Sequence, residues 1–167
     1  MAITLAELLE ARDNRRKTQI ELIASNPGKT LVVMTVNIPG PEKQTADSVA
    51  IGKEGVRTLM ETFLQDDLIV RDLYTGFEAF LLVNQDKQEA KKLAMQIEDT
   101  HPLGRLMDID VFNDDATPIS RNDNGRPSRR CLVCGGDARV CMRTFAHPLP
   151  QLTSIIHSMV NEFFQQS

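Results

Sequence analysis

The segment Thr30-Leu31-Val32-Val33-Met34-Thr35-Val36-Asn37-Ile38 restricts the fold most, because β-branched and apolar residues run through it without a charge. Bounded by Pro27-Gly28 before it and Pro39-Gly40-Pro41 after it, such a run is a buried strand. Upstream, Thr4-Leu5-Ala6-Glu7 is a capping box, and Leu5, Leu8, Leu9, Ile20, Leu22 and Ile23 predict a first helix over 4–25. Downstream, Val49, Val56, Leu59, Met60 and Phe63 keep helical spacing over 45–65, with Gly52 and Gly55 as weak points. Residues 68–74 and 77–83 flank Thr75-Gly76 as two strands of a tight hairpin. A third helix is expected over 86–99, with Ala90, Leu93, Ala94 and Ile97 inward, and a fourth strand over 106–112.

This order, β-α-β-β-α-β, predicts an α+β fold built on a ferredoxin-like split unit. Its antiparallel sheet would run 4-1-3-2, with the second and third helices on one face. Residues 113–148 turn polar, with Asn122, Asn124-Gly125, Pro127 and Gly135-Gly136 as breakers, and read as a long Arg- and Cys-rich loop. Leu149, Leu152, Ile156, Met159, Val160 and Phe163 then outline a final helix. With 167 residues, 41% hydrophobic and 25% charged, the chain suits one domain over 1–167.

No stretch is apolar for the length a membrane span needs, and the N-terminus lacks the basic-then-apolar order of a secretory signal. The expected location is the cytoplasm, with no membrane partner. Three cysteines, all between 131 and 141, suit thiols or metal ligands better than disulfides. A net charge of −4 disfavours a general nucleic-acid binder. The charge is uneven, however: Arg121, Arg126, Arg129, Arg130, Arg139 and Arg143 face only Asp123 and Asp137 within 121–143. Arginine forks match phosphate oxygens in pairs, so this segment suits a compact polyanion.

Asp108 and Asp110 alternate with Ile109 and Val111 and therefore share one face of the fourth strand. Two carboxylates so placed repel unless a cation lies between them, and hard oxygen ligands select Mg²⁺ or Mn²⁺. Asp-x-Asp on a strand is thus a phosphoryl-transfer signature. Gly104-Arg105 just before it offers close backbone approach and a phosphate-binding guanidinium. Cys131-x2-Cys134-x6-Cys141-x5-His147 has the count and softness of a structural zinc site. Three buried thiols and a surface histidine would explain the same residues. Asn37 and Lys43 at the end of the first strand, and Arg12 and Arg15 on the first helix, are further substrate-binding candidates, and His101 is either a base or a cap on the preceding helix.

Several of these segments stand together in one pattern: Arg12-Asp13-x-Arg15-x3-Gln19, Asn37-Ile38-Pro39-Gly40-Pro41-x-Lys43, Glu98-x2-His101-Pro102-Leu103-Gly104-Arg105-Leu106-Met107-Asp108-Ile109-Asp110-Val111, Ser120-Arg121, and Arg130-Cys131-Leu132-x-Cys134-x6-Cys141-x-Arg143-x3-His147. Together they resemble the citrate lyase holo-acyl-carrier-protein synthase family, the CitX type, over nearly the whole chain. The resemblance implies a nucleotidyltransferase. It would move 2′-(5″-triphosphoribosyl)-3′-dephospho-CoA to a serine of the apo acyl-carrier (gamma) subunit of citrate lyase and release diphosphate. The site implied comprises Asp108 and Asp110 with Mg²⁺, Arg105 and His101 beside them, and Gly104, Arg121, Arg129, Arg130 and Arg143 around the triphosphate. Two rival classes are a zinc-stabilised module that binds RNA or protein, and a nucleotidyltransferase acting on a small molecule.

Overall fold

A computed structural model describes residues 2–122 and 125–167. Asp123 and Asn124, read above as part of the polar loop, lie outside the described residues. Helix α1 (Leu5–Ser25) starts at Thr4, whose side chain accepts from the Glu7 amide while the Glu7 carboxylate accepts from the Thr4 amide. Strand β1 (Thr30–Val36), helix α2 (Ala46–Phe63), strands β2 (Leu68–Leu73) and β3 (Gly76–Val83), helix α3 (Lys87–Thr100) and strand β4 (Met107–Val111) follow in the expected order. The sheet runs β2-β3-β1-β4 with every pair antiparallel, the order expected from the sequence.

Alternation in β1 divides the molecule. Val32 and Met34 point into the main core with Ala79, Leu81, Ile109 and Val111, covered by Ile51, Leu59 and Phe63 of α2 and by Ala90, Ala94 and Ile97 of α3. Helix α5 (Leu149–Gln165) adds Ile156 and Val160 to that layer. Leu31 and Val33 point the other way, where Phe80, Phe112 and the α1 residues Leu22 and Ile23 close a smaller cluster. Among the described residues no helix is long and apolar enough to cross a membrane.

Four local expectations change. The hairpin turn is Tyr74-Thr75, one residue earlier than Thr75-Gly76, because Leu73 pairs with Gly76. Leu106 belongs to a 3-10 turn (Gly104–Leu106) that feeds β4 rather than to the strand. A short helix, α4 (Ala138–Thr144), forms inside the segment read as loop. Leu5, Leu9 and Ile20 of α1 stay exposed, whereas Leu22 and Ile23 pack on the smaller apolar cluster.

Gly52 and Gly55, the weak points of the second helix on propensity alone, are where α2 comes closest to the sheet. A Cβ on Gly52 would meet the buried Phe77 ring at 2.4 Å, and one on Gly55 would meet Met34 Sδ at 2.4 Å. Helix propensity favours alanine by about 1 kcal/mol, but overpacking a core costs about 1–3 kcal/mol. We therefore expect Gly52→Ala to lower the stability read by chemical denaturation, whereas a gain would show that the helix stands further from the sheet.

Candidate active site and metal centre

The face of the sheet opposite α2 and α3 is apolar at one end and charged at the other. Register places Thr35 between Asp108 and Glu78, and Val33 between Asp110 and Phe80. Arg71 of β2 pairs across from Glu78 and lays its guanidinium over Phe80, 5.0 Å from the ring centroid. From α1, Arg15 donates to the buried Glu78 carboxylate at 3.0 Å. Asn37 continues this row, its amide donating to the Leu106 carbonyl at 2.9 Å. Asp108 is exposed and Asp110 half-buried, on the same face as the alternation requires.

Burial first, and the Asp108 carboxylate second, push Asp110 up to about 6 against the pull of Lys91, Arg15 and Arg129. The pair is thus short of positive charge. Two carboxylates are the number of protein ligands that Mg²⁺ commonly takes, so the donor set fits a hard divalent cation.

Helix α3 brings buried Lys91 and Glu98 to the same region. Glu98 holds two arginines from the 113–148 segment: Arg129 in a close ion pair, and Arg121 with Nη2 3.3 Å from Oε1 but out of hydrogen-bond alignment. Burial raises the Glu98 carboxyl, and Arg129 and Arg121 pull it back down. Arg129 also donates to the carbonyls of Gly104 (3.0 Å) and Met107, so one side chain fastens the loop to the turn entering β4. Gly104 permits this turn to sit on α3, since a Cβ there would lie 2.3 Å from the Ile97 carbonyl oxygen. Arg121 and Arg126 both bind Asp99. Arg105 lies in this cluster of cations, and burial, then Arg129 and Arg121, lower its pKa. Buried Arg129 Nε and Arg121 Nη2 have no hydrogen-bond partner among the described residues.

Other candidates lie elsewhere. His101 caps α3, its Nδ1 accepting from the Leu103 amide and its Nε2 donating to Glu54 on α2, both at 3.0 Å, with Phe163 of α5 against the ring. Both nitrogens are therefore engaged on the helix-covered layer. Lys43 donates to the Ile38 carbonyl, and burial, then nearby Arg12, lower its pKa. Arg130 and Arg143 are exposed. Arg16 and Lys91 were absent from the sequence-based set, and Glu98 stood in the quoted motif without a role. Arg16 donates to the Ala116 carbonyl, a long-range contact that leaves no local signal, whereas a glutamate and a lysine seven apart on the inward side of an amphipathic helix could have been noticed.

The Cys131, Cys134, Cys141 and His147 ligand atoms all lie within 4.8 Å of one another, with Cys134 Sγ 3.4 Å from Cys141 Sγ. Sulfurs about 2.3 Å from one tetrahedral zinc lie roughly 3.8 Å apart, so the spread fits one ion. His147 Nε2 is buried with no partner among the described residues, as a ligand nitrogen would be without its metal. Burial opposes ionisation of Cys131, but hydrogen bonds from the Cys134 and Val133 amides and from the other thiols bring it down to about 6. Beside the cluster, Asn122, Ser128, Arg129, Arg130, Gly136 and Arg139 line an open cavity of about 630 Å³.

With that geometry in view, similarity to known proteins decides the family. The model of the family described as apo-citrate lyase phosphoribosyl-dephospho-CoA transferase matches residues 3–163. The chain belongs to the CitX family. A Streptococcus pyogenes serotype M18 relative named as a probable apo-citrate lyase phosphoribosyl-dephospho-CoA transferase is 34% identical, over 99% of this chain and 89% of its own. A Vibrio cholerae relative of the same name is 34% identical over 98% and 94%. The CitXG protein of Haemophilus influenzae is 35% identical over 94% of this chain but only 35% of its own length. CitX membership makes this chain a member of a transferase family.

Two outcomes follow from the site. Because the folded pKa of Asp110 lies above its ordinary value of 3.8, its contribution to stability is full below about pH 4 and is lost as pH rises through about 6. The shift corresponds to up to roughly 3 kcal/mol. Without divalent cation, Asp110→Asn should therefore melt higher than wild type at pH 7 and vary less between about pH 4 and 6; an unchanged pH profile would mean that the pair is not strained. Second, protein purified without chelator should contain about one zinc per chain, and Cys131→Ser should lose both metal and stability. A metal-free wild type of normal stability would overturn the zinc reading.

Proposed function

We propose that this CitX member transfers the 2′-(5″-triphosphoribosyl)-3′-dephospho-CoA group to a serine of the apo acyl-carrier subunit of citrate lyase, releasing diphosphate. Family membership together with the strained Asp108–Asp110 pair carries this reading. The chain would work as one domain on a ferredoxin-like split unit, with added helices at either end and the Arg- and Cys-rich segment folded against β4.

Asp108 and Asp110 would hold Mg²⁺ or Mn²⁺, which supplies charge neutralisation to donor phosphates and to the leaving diphosphate. Arg105, half-buried between Arg121 and Arg129, makes no hydrogen bond through its guanidinium among the described residues and would grip a phosphate oxygen. Arg129 Nε and Arg121 Nη2 are buried donors without a hydrogen-bond partner among the described residues, a cost of about 1–3 kcal/mol each, and an anionic oxygen would relieve it. Arg15 and Asn37 border the same face, Arg12 and Lys43 lie near each other beyond the end of β1, and these four would meet the remainder of the donor. His101 acts as a positioning residue, tying α3 to α2 through Glu54. In the step itself the serine oxygen bonds to the α-phosphorus, the bond to diphosphate breaks, and the serine proton passes to solvent. Cys131, Cys134, Cys141 and His147 would hold a structural zinc that keeps Arg129 and Arg130 in place.

Mixing the purified protein with the donor, Mg²⁺ and apo carrier should add the mass of the prosthetic group to one carrier serine and release one diphosphate per carrier. Asp108→Asn and Asp110→Asn should each abolish both signals. Turnover of the donor with no change in carrier mass would favour a small-molecule acceptor and overturn this assignment.

A further inference from the structure

Helix α4 buries none of its seven residues. At about 100° per residue, Arg139 and Arg143 stand one turn apart on the side away from Cys141. Val140 and Met142 stand about 100° to either side of Cys141, as apolar shoulders to that basic ridge. Val140 is 51% exposed, Met142 67% and Phe145, which ends the helix, 90%. Like charges four apart on a helix repel. Arg139 has only Asp137 nearby, at 3.7 Å, besides a bond to Ser128, and Arg143 has no ion pair among the described residues.

Phe145 sharpens the point. Its φ of 50° is left-handed, a conformation that bulky residues rarely adopt. The turn lets its amide cap the Cys141 carbonyl and sends the chain back so that His147 reaches the cluster. Glycine would serve that purpose without strain, and the ring itself is used by nothing within the chain's core. Three solvent-facing apolar side chains beside Arg143, which has no ion pair among the described residues, and Arg139, whose one ion pair there is the long contact to Asp137, are what a protein-docking surface presents. A nucleic acid would use the arginines but leave Val140 and Met142 in water.

We infer that α4 and Phe145 form the docking surface for an acidic amphipathic helix of the acceptor protein, with its carboxylates on Arg139 and Arg143 and its apolar residues against Val140, Met142 and Phe145. This rests on the reading of the acceptor as a carrier protein. The ridge adjoins the arginine-lined cavity, since Arg139 belongs to both, so a docked helix would bring its serine toward the phosphate-binding side.

The test is carrier-dependent kinetics with the full chain. Phe145→Gly removes the ring yet suits the left-handed backbone, so its melting temperature should equal or exceed that of wild type. Alone it should raise KM for the apo carrier several-fold, and with Met142→Glu about tenfold or more, while KM for the donor and kcat at saturating carrier stay unchanged. Raising ionic strength should weaken wild-type carrier binding. An unchanged carrier KM in folded Phe145→Gly overturns the inference, as does a rise confined to the donor KM. So does loss of single-stranded RNA binding with carrier affinity intact. If wild type modifies no carrier, the function proposed above fails and this surface with it; if wild type is active and the variants match it, only the surface fails.

Discussion

The Arg129–Glu98 pair holds the candidate site together. Arg129 comes from a segment with little core of its own, yet its guanidinium reaches the carbonyls of Gly104 and Met107 while its charge rests on Glu98, 3% exposed on α3. Removing Glu98 would leave two buried guanidiniums short of their shared carboxylate, and removing Arg129 would leave Glu98 with Arg121 alone; either loss is far more costly than the net contribution of the intact pair. Three parts of the chain thereby share one anchor: the helix that flanks β4, the turn that enters β4, and the loop that carries the cysteines. An arginine expected to bind phosphate is in large part a structural clamp, and only its Nε remains free for a ligand.

The Cys3His cluster extends that anchor. Between Ile119 and Ile156 none of the described residues is fully buried, and Leu132 only partly packs on the core, so hydrophobic burial fixes the segment less firmly than it fixes the sheet. Ligand atoms of residues 131, 134, 141 and 147 converge there instead, with Cys141 carried by α4 itself. Where the chain lacks apolar surface to bury, a bound ion can supply the missing folding free energy.

The sequence made some of this legible and hid the rest, for identifiable reasons. Period-two alternation through residues 107–111 was enough to place both aspartates on one face, because strand geometry leaves no other choice. The strand order followed from the succession of periodicities and was met by the sheet. Cysteine and histidine spacing allowed a shared site beside the alternative of separate thiols, and the ligand atoms do converge. The role of Arg129 was illegible, since Glu98 lies far from it in sequence and its other partners are backbone carbonyls, which have no sequence identity. Helix α4 was hidden by its length, too short for any period to register between Gly135-Gly136 and His147. Leu5 and Leu9 misled because apolar spacing marks a helix face without saying what covers it. The glycines of α2 misled in the opposite way: propensity counted them as defects, whereas Phe77 and Met34 need the space.

Strand β1 explains why the site lies where it does. On the side away from α2 and α3, its residues run from Leu31 and Val33 to Thr35 and then Asn37, from apolar to polar. Helix α1 can seal only the apolar end, with Leu22 and Ile23. At the other end Thr35 is small enough to leave Asp108 exposed beside it, and Arg15 and Arg71 are held aside by Glu78. A wholly apolar face would have drawn the full length of α1 down and buried the carboxylates, whereas a wholly polar one would have given the helix nothing to rest on. The change of character within one strand leaves Asp108 exposed and Asp110 half-buried beside it, so that burial and its neighbour's charge together raise the Asp110 carboxyl.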